Sequence, residues 1–179
     1  MDKKTKFAAL IGIILLAAFS RLIPHPFNFT PIAAMALFGG AYFNDKRLAF
    51  AIPLLSMFLS DVVISYIGDF SLFNGMRMVI YSYFIFVSGV GISMQKNIKP
   101  LTVISASVGS SILFFTVSNF VVWATDGVMY PMNAGGLIEC YVAAIPFFRN
   151  TLFGDLFYSG ILFGAYEVAK LKFPKLANV

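Results

Sequence analysis

The sequence has little of several things that a soluble domain normally contains. Only 12% of its 179 residues are charged, and it has one histidine, one tryptophan and one cysteine. Soluble domains carry about 25% charged residues, so these charges are too few to cover a chain of this size in water. A single cysteine excludes both an intramolecular disulfide and a cysteine-based zinc motif. The scarcity of charge predicts that lipid surrounds much of the protein.

Motifs of common enzymes are also absent. The sequence contains no HExxH, GxSxG, Walker or glycine-rich dinucleotide-binding pattern. We therefore expect no enzymatic activity, no cofactor, no bound metal and no ATPase within this chain. The net charge of +5 is scattered between apolar segments and forms no basic stripe, which argues against a nucleic-acid partner.

Apolar residues dominate what is present. They make up 59% of the chain, and the mean hydropathy is +0.85. A transmembrane helix needs about 20 mostly apolar residues. Six spans are predicted, with a short helix lying on the outer face before the last one. The spans are 7–22, 30–43, 48–67, 76–94, 101–124 and 150–171, and the short helix is 137–145. We predict a single-domain, all-α, multi-pass protein of the cell (inner) membrane, in contact with the lipid bilayer.

Basic residues divide unevenly between the two sides of the predicted bundle. If the N-terminus is cytoplasmic, the positive-inside rule is obeyed at every loop. Only Arg21, Arg77 and Arg149 then fall on the outer side. The predicted cytoplasmic residues are Lys3, Lys4, Lys6, Lys46, Arg47, Lys96, Lys99, Lys170, Lys172 and Lys175. An even number of spans places the C-terminus in the cytoplasm as well.

Polar and aromatic side chains gather in the predicted outer half. A charge at membrane depth costs about 2.5–3.5 kcal/mol on insertion scales, so it usually faces a bundle interior or an aqueous cavity. Apolar pockets with a few polar anchors are the usual sites for organic ligands. We therefore predict an outward-facing pocket. Its candidate ligand-binding residues are Arg21, His25, Asn28, Asp61, Arg77, Asn119, Trp123, Tyr130, Cys140, Arg149, Asn150 and Asp155.

The acidic residues leave several interpretations open. One interpretation is structural pairing, of Asp61 with an outer arginine and of Asp155 with Arg149. The other is that either aspartate contacts a ligand. A proton- or ion-coupled transporter would use Asp61 or Asp155 as a relay. A structural or assembly subunit would use the same polar groups only for pairing. Small residues four apart, such as Ala36/Gly40 and Gly160/Gly164, predict close helix packing within the bundle, with a docking face for another membrane protein as the alternative.

Three stretches carry a resemblance to known proteins. They are residues 21–40 (RLIPHPFNFTPIAAMALFGG), Ser60-Asp61 and residues 146–155 (PFFRNTLFGD). These stretches resemble an uncharacterised family of small bacterial membrane proteins described as transport proteins. That family is similar to the substrate-binding S components of energy-coupling-factor (ECF) vitamin transporters, which are six-helix bundles with an outward-facing vitamin site.

The resemblance implies a function in uptake. It implies a vitamin-like small-molecule ligand and, as a partner, an ECF-type coupling membrane protein with its ATPases. A corrinoid is one candidate ligand, because similar cobalamin transporters use a cysteine to ligate cobalt. On that reading, Cys140 and His25 are the residues that would reach the metal of the ligand.

Overall fold

Six α-helices form the described part of the chain. The computed structural model describes residues 3–68, 75–126 and 128–173. No strand occurs in these residues, so the predicted all-helical fold with six helices is confirmed. The helices are α1 (Lys3–Ser20), α2 (Ile32–Tyr42), α3 (Lys46–Gly68), α4 (Gly75–Met94), α5 (Pro100–Asp126) and α6 (Ala134–Lys172).

Three of the helices are long and apolar enough to cross a membrane. They are α3, α4 and α5. Only 33%, 28% and 22% of their most apolar stretches are buried inside the protein. Most residues of these stretches are therefore at least partly exposed, as expected of helices whose outer surface is covered by lipid. The stretch Lys6–Ser20 of α1 and the whole of α2 are apolar but shorter.

Helix α2 lies at the centre of the bundle. Residues 33–42 are all buried, and the helix packs against each of the other five. Its 11 residues rise only about 16 Å, roughly half the thickness of a hydrocarbon core. At its C-terminal end, the Gln95 amide donates hydrogen bonds to the carbonyl oxygens of Gly40 and Phe43, both at 2.9 Å. These bonds satisfy carbonyl groups that the end of the helix leaves without partners.

Two glycines allow α2 and α4 to cross closely. A Cβ atom on Gly40 would collide with the carbonyl oxygen of Ser88, and one on Gly91 with that of Leu37. The predicted packing role is thus observed for Gly40. It is wrong for Gly160, where no described atom lies within 4 Å of an added Cβ atom.

Helix α6 differs from the sequence prediction. The predicted short helix 137–145 and the predicted span 150–171 form one continuous helix of 39 residues. Pro146 lies inside it and does not end it, although a proline there cannot donate the usual bond to the carbonyl four residues earlier. The helix begins at an unpredicted cap, where the Asn133 side-chain oxygen accepts a bond of 3.0 Å from the Gly136 N–H. It is about 58 Å long, more than a bilayer requires.

The segment before α2 also differs from expectation. The predicted second span begins at residue 30, whereas α2 begins at Ile32, with Pro31 in the N-cap position and no side-chain cap. The Pro31 carbonyl instead accepts a bond of 2.8 Å from the Met35 N–H. Residues 22–28 are exposed, whereas residues 29–31 pack into the bundle.

Two names are used below for the ends of the bundle. The Asn28 end holds residues 21–31 and the connection between α5 and α6. The Lys99 end holds the connections from α2 to α3 and from α4 to α5, together with the C-terminal end of α6.

Candidate functional site

A cavity in two parts opens at the Asn28 end, between α4, α5, α6 and the segment that precedes α2. The outer chamber has a volume of about 230 Å³ and the inner chamber about 100 Å³. Four residues line both chambers, so the two are contiguous: Asn28, Ile80, Phe114 and Thr151. The outer chamber also holds Ser118 and Asn119, and the inner chamber ends at Asp155.

The segment before α2 forms one wall of the cavity. Asn28 has a φ of 64°, in the left-handed region that asparagine tolerates better than most residues. The Asn150 amide of α6 donates a bond of 3.0 Å to the Phe27 carbonyl, which holds the segment against the bundle. Gly154 allows the contact, because an added Cβ atom would lie 3.1 Å from Cα of Phe29. Asn150 is therefore a positioning residue for this wall.

Part of the floor of the cavity comes from a polar row on α6, of which Thr151 and Asp155 line the chambers. Thr151, Asp155 and Ser159 follow one another at intervals of four, which puts them on one face of the helix, and all three are buried. Serines of α5 face two of them. Ser107 donates to the Ser159 hydroxyl at 2.8 Å, and Ser111 donates to Oδ2 of Asp155 at 2.6 Å. Turning this row toward α5 keeps polar groups away from the apolar outer surface.

Asp155 is the most distinctive residue of the cavity. It is 3% exposed, and within the described part of the chain Ser111 is its one hydrogen-bond partner. The Ser111 hydroxyl also lies 3.1 Å from the carbonyl oxygen of Ser107, so two acceptors share its one proton. The predicted pairing with Arg149 is wrong, because Arg149 is exposed and Asp155 bonds to α5 instead.

Asp61 has a different environment. Its Oδ1 accepts a bond of 2.7 Å from Nη2 of Arg21, and its Oδ2 accepts one of 3.1 Å from the Tyr81 hydroxyl. Arg21 Nη1 also donates to the Ser60 hydroxyl. This cluster joins α3, α4 and the segment just after α1, and none of its members lines either chamber. Among the alternatives left open by the sequence, the geometry favours structural pairing for Asp61.

The remaining predicted residues make local contacts. Arg77 donates to the Ser65 hydroxyl at 3.1 Å, and the Trp123 indole donates to the Pro131 carbonyl at 3.0 Å. Tyr130 is half-buried in the segment that leads to α6. Of the twelve predicted site residues, the structure brings Asn28, Asn119 and Asp155 to the cavity, while Asn150 supports its wall.

The two residues considered for a metal-containing ligand lie away from the cavity lining. His25 is exposed, with Nδ1 2.6 Å from the Ile23 carbonyl oxygen. Cys140 is 2% exposed, and its thiol lies 3.4 Å from the Asn119 carbonyl oxygen. The described residues contain no group of three or more histidine, cysteine or acidic side chains that could hold a metal ion.

Sequence reasoning missed several residues of the cavity. Thr151, Phe114 and Ile80, which line both chambers, were not among the candidates, and neither was Ser111, which donates a hydrogen bond to Asp155. A signal existed for Ser111, because Ser107 and Ser111 are spaced by four within a predicted span and so share one face of the helix. For Phe114 and Ile80 no signal existed, since aromatic and aliphatic residues are frequent throughout the chain.

A larger cavity, of about 350 Å³, lies between α5 and α6 at the Lys99 end. Its most polar group, Glu167, is already engaged by the Tyr42 hydroxyl and by Lys170 at 2.6 Å. The rest of its lining is largely apolar, with Ile104 and Phe163 as examples. Of these two cavities we favour the smaller as the candidate site, because its lining includes a buried acidic side chain, Asp155, that has no charged partner among the described residues.

These features define a class of protein: an all-helical protein with membrane-length apolar helices and a polar-floored cavity between them. The chain belongs to a family of unknown function, DUF6580, whose model matches residues 1–176. No curated protein and no solved structure matches it. The similarity to ECF S components accordingly stays a prediction from the sequence.

Proposed function

We propose that this protein spans the cell membrane six times and binds a small organic molecule in the two-chamber cavity, as the substrate-binding part of an uptake system for a vitamin-type micronutrient. One observation carries the proposal. Asp155 is 3% exposed at the end of a cavity, with a single hydroxyl as its described hydrogen-bond partner. A buried charge is costly without a partner, and a ligand would supply one.

The charge distribution supports an outward-facing cavity. Lysines and arginines flank the connections at the Lys99 end, including Lys46, Arg47, Lys96 and Lys99, and α6 ends with Lys170 and Lys172. The positive-inside rule assigns that end to the cytoplasm. The Asn28 end, and with it the mouth of the cavity, then faces the outside. Lys175, part of the same predicted set, lies outside the described residues.

The route of transport is part of the proposal. The sequence has no nucleotide-binding motif, so the energy comes from a gradient or from a partner such as an ECF-type coupling protein with ATPases. A ligand bound beside α2, the shortest and most buried helix, would be released inward by rearrangement of the helices around it.

Mass spectrometry of the purified protein tests ligand binding. The protein is extracted from its own cells in mild detergent, and small molecules that co-purify are identified. Ala144 is buried in the outer chamber, whereas Ala143, one residue earlier on α6, is exposed. Ala144→Leu fills the chamber, and Ala143→Leu adds the same atoms outside it.

We expect a co-purified small molecule on the wild type and on Ala143→Leu, with a clear loss on Ala144→Leu. Once identified, this molecule is then offered to proteoliposomes that contain the protein and its coupling partner, and uptake is measured. A ligand bound equally well by Ala144→Leu would contradict the proposed cavity. Folded wild-type protein that never carries a ligand would favour the structural-subunit alternative.

A further inference from the structure

We propose that the cavity selects a small organic cation, one that carries a protonated nitrogen next to an apolar or aromatic body. This inference rests on the proposed function and narrows it to one chemical class. It follows from three properties of the lining: its charge, the direction of its hydrogen bonds, and its aromatic residues.

Asp155 is the one acidic side chain among the described residues of the lining. Asp155 closes the inner chamber, and no lysine, arginine or histidine is among the described residues of either chamber. Of the arginines considered as ligand contacts, Arg21 pairs with Asp61, Arg77 donates to the Ser65 hydroxyl, and Arg149 is exposed. An anionic ligand would meet a buried carboxylate and no compensating charge, which is strongly unfavourable in a low-dielectric site.

Most donors of the lining are already used. The hydroxyls of Tyr83, Ser118 and Thr151 donate to backbone carbonyls at 3.2, 2.6 and 3.1 Å. The Asn119 amide donates one of its two N–H groups to the Phe115 carbonyl at 2.7 Å, which leaves its carbonyl oxygen and its second N–H for a ligand.

Acceptors therefore outnumber donors on the cavity surface. Asn28 and Thr30 can act in either sense, whereas the Asp155 carboxylate, the Asn119 oxygen and the hydroxyl oxygens accept. A complementary ligand must bring N–H or O–H donors, and a protonated amine brings up to three together with a charge.

Aromatic rings supply the remaining contacts. Phe114 lines both chambers, and Phe115, Phe147 and Phe148 line the outer one. The face of an aromatic ring attracts a cation within about 6 Å, by roughly 0.5–2 kcal/mol depending on solvation. The same rings pack well against an apolar ligand body. A ligand with its ammonium group near Asp155 and its apolar body in the outer chamber would make favourable contacts in both chambers.

Three probes of similar size and different charge test the inference. Benzylamine, which is protonated at neutral pH, is compared with benzyl alcohol and benzoate by calorimetry on the full-length protein in detergent. We expect benzylamine to bind most tightly and benzoate not to bind. In Asp155→Asn, benzylamine affinity should fall roughly tenfold or more, the effect of removing a buried charge partner. Glu139→Gln, the same change at an exposed position of α6, should leave affinity unchanged.

Each other result overturns the inference in a distinguishable way. Benzyl alcohol or benzoate binding as tightly as benzylamine, with loss of binding in Ala144→Leu, would reject the cationic class and keep the cavity as the binding site. Stabilisation of the protein by sodium chloride, without binding of benzylamine, would assign Asp155 to a coupling ion. The comparison of the three probes needs only the wild type, so it remains decisive even if Asp155→Asn does not fold.

Discussion

At the scale of single residues, two buried aspartates have acquired different roles through their neighbours. Asp61 receives an arginine and a tyrosine hydroxyl, and the side chains of Arg21 and Asp61 are 10% and 4% exposed. Asp155 receives one serine hydroxyl and faces a cavity. The sequence identified both as functional candidates because both are charges in apolar helices. The sequence could not distinguish the roles of the two aspartates, because these roles depend on which side chains the bundle brings within hydrogen-bond distance of each.

Asp61→Asn should therefore destabilise the protein without altering its ligand site. The change leaves the buried Arg21 guanidinium without a charged partner, and breaking such a pair costs about 3–5 kcal/mol. We expect a lower melting temperature in detergent and unchanged affinity for any ligand that the folded protein binds. Arg21→Gln combined with Asp61→Asn should recover part of the loss, since no charge is then left unpaired. Loss of ligand binding in a variant that melts like the wild type would show that Asp61 contacts ligand.

At the scale of elements, the sequence predicted α1 to α5 well as segments and α6 poorly. The apolar runs locate the helices because each run is long and is bounded by charged or turn-forming residues. Two separate helices, 137–145 and 150–171, were predicted where α6 is continuous through Pro146. Proline costs a helix one hydrogen bond and a steric clash, and this cost is local. The packing of α6 against α5 and α2 outweighs it, and the sequence alone does not reveal that packing.

The crossing of α2 and α4 gives a prediction for two glycines on different helices. Gly40→Ala places a methyl group against the Ser88 carbonyl, and overpacking of this kind typically costs about 1–3 kcal/mol. Gly160→Ala adds the same group where no described atom lies within 4 Å. It should leave stability unchanged or raise it by up to about 1 kcal/mol through helix propensity.

Thermal unfolding of the two purified variants in one detergent compares them directly. A melting temperature for Gly40→Ala at or above that of Gly160→Ala would show that α2 and α4 are not held at this distance.

At the scale of the whole molecule, the proposed topology makes both termini cytoplasmic. A reporter fused after Val179 distinguishes the two sides of the membrane. Green fluorescent protein fluoresces in the cytoplasm and only poorly after export, whereas alkaline phosphatase is active only outside the cytoplasm. We expect a fluorescent fusion and an inactive phosphatase fusion. A phosphatase inserted between Tyr130 and Pro131, in the connection at the Asn28 end, should be active. The opposite pattern would show that the protein has the inverse orientation and that the cavity opens toward the cytoplasm.

The most direct test of the central claim, that the cavity opens to the outside, is the labelling of Thr151 as a cysteine. Thr151 lines both chambers, and Ile112, on the outer surface of α5, serves as the control position. In a Cys140→Ser background, Thr151→Cys and Ile112→Cys are treated in intact cells with a membrane-impermeant, positively charged methanethiosulfonate reagent. The account predicts rapid modification of Thr151→Cys, slowed by bound ligand, and none of Ile112→Cys. Modification of Thr151→Cys only from the cytoplasmic side, or from neither side in folded protein, would contradict it.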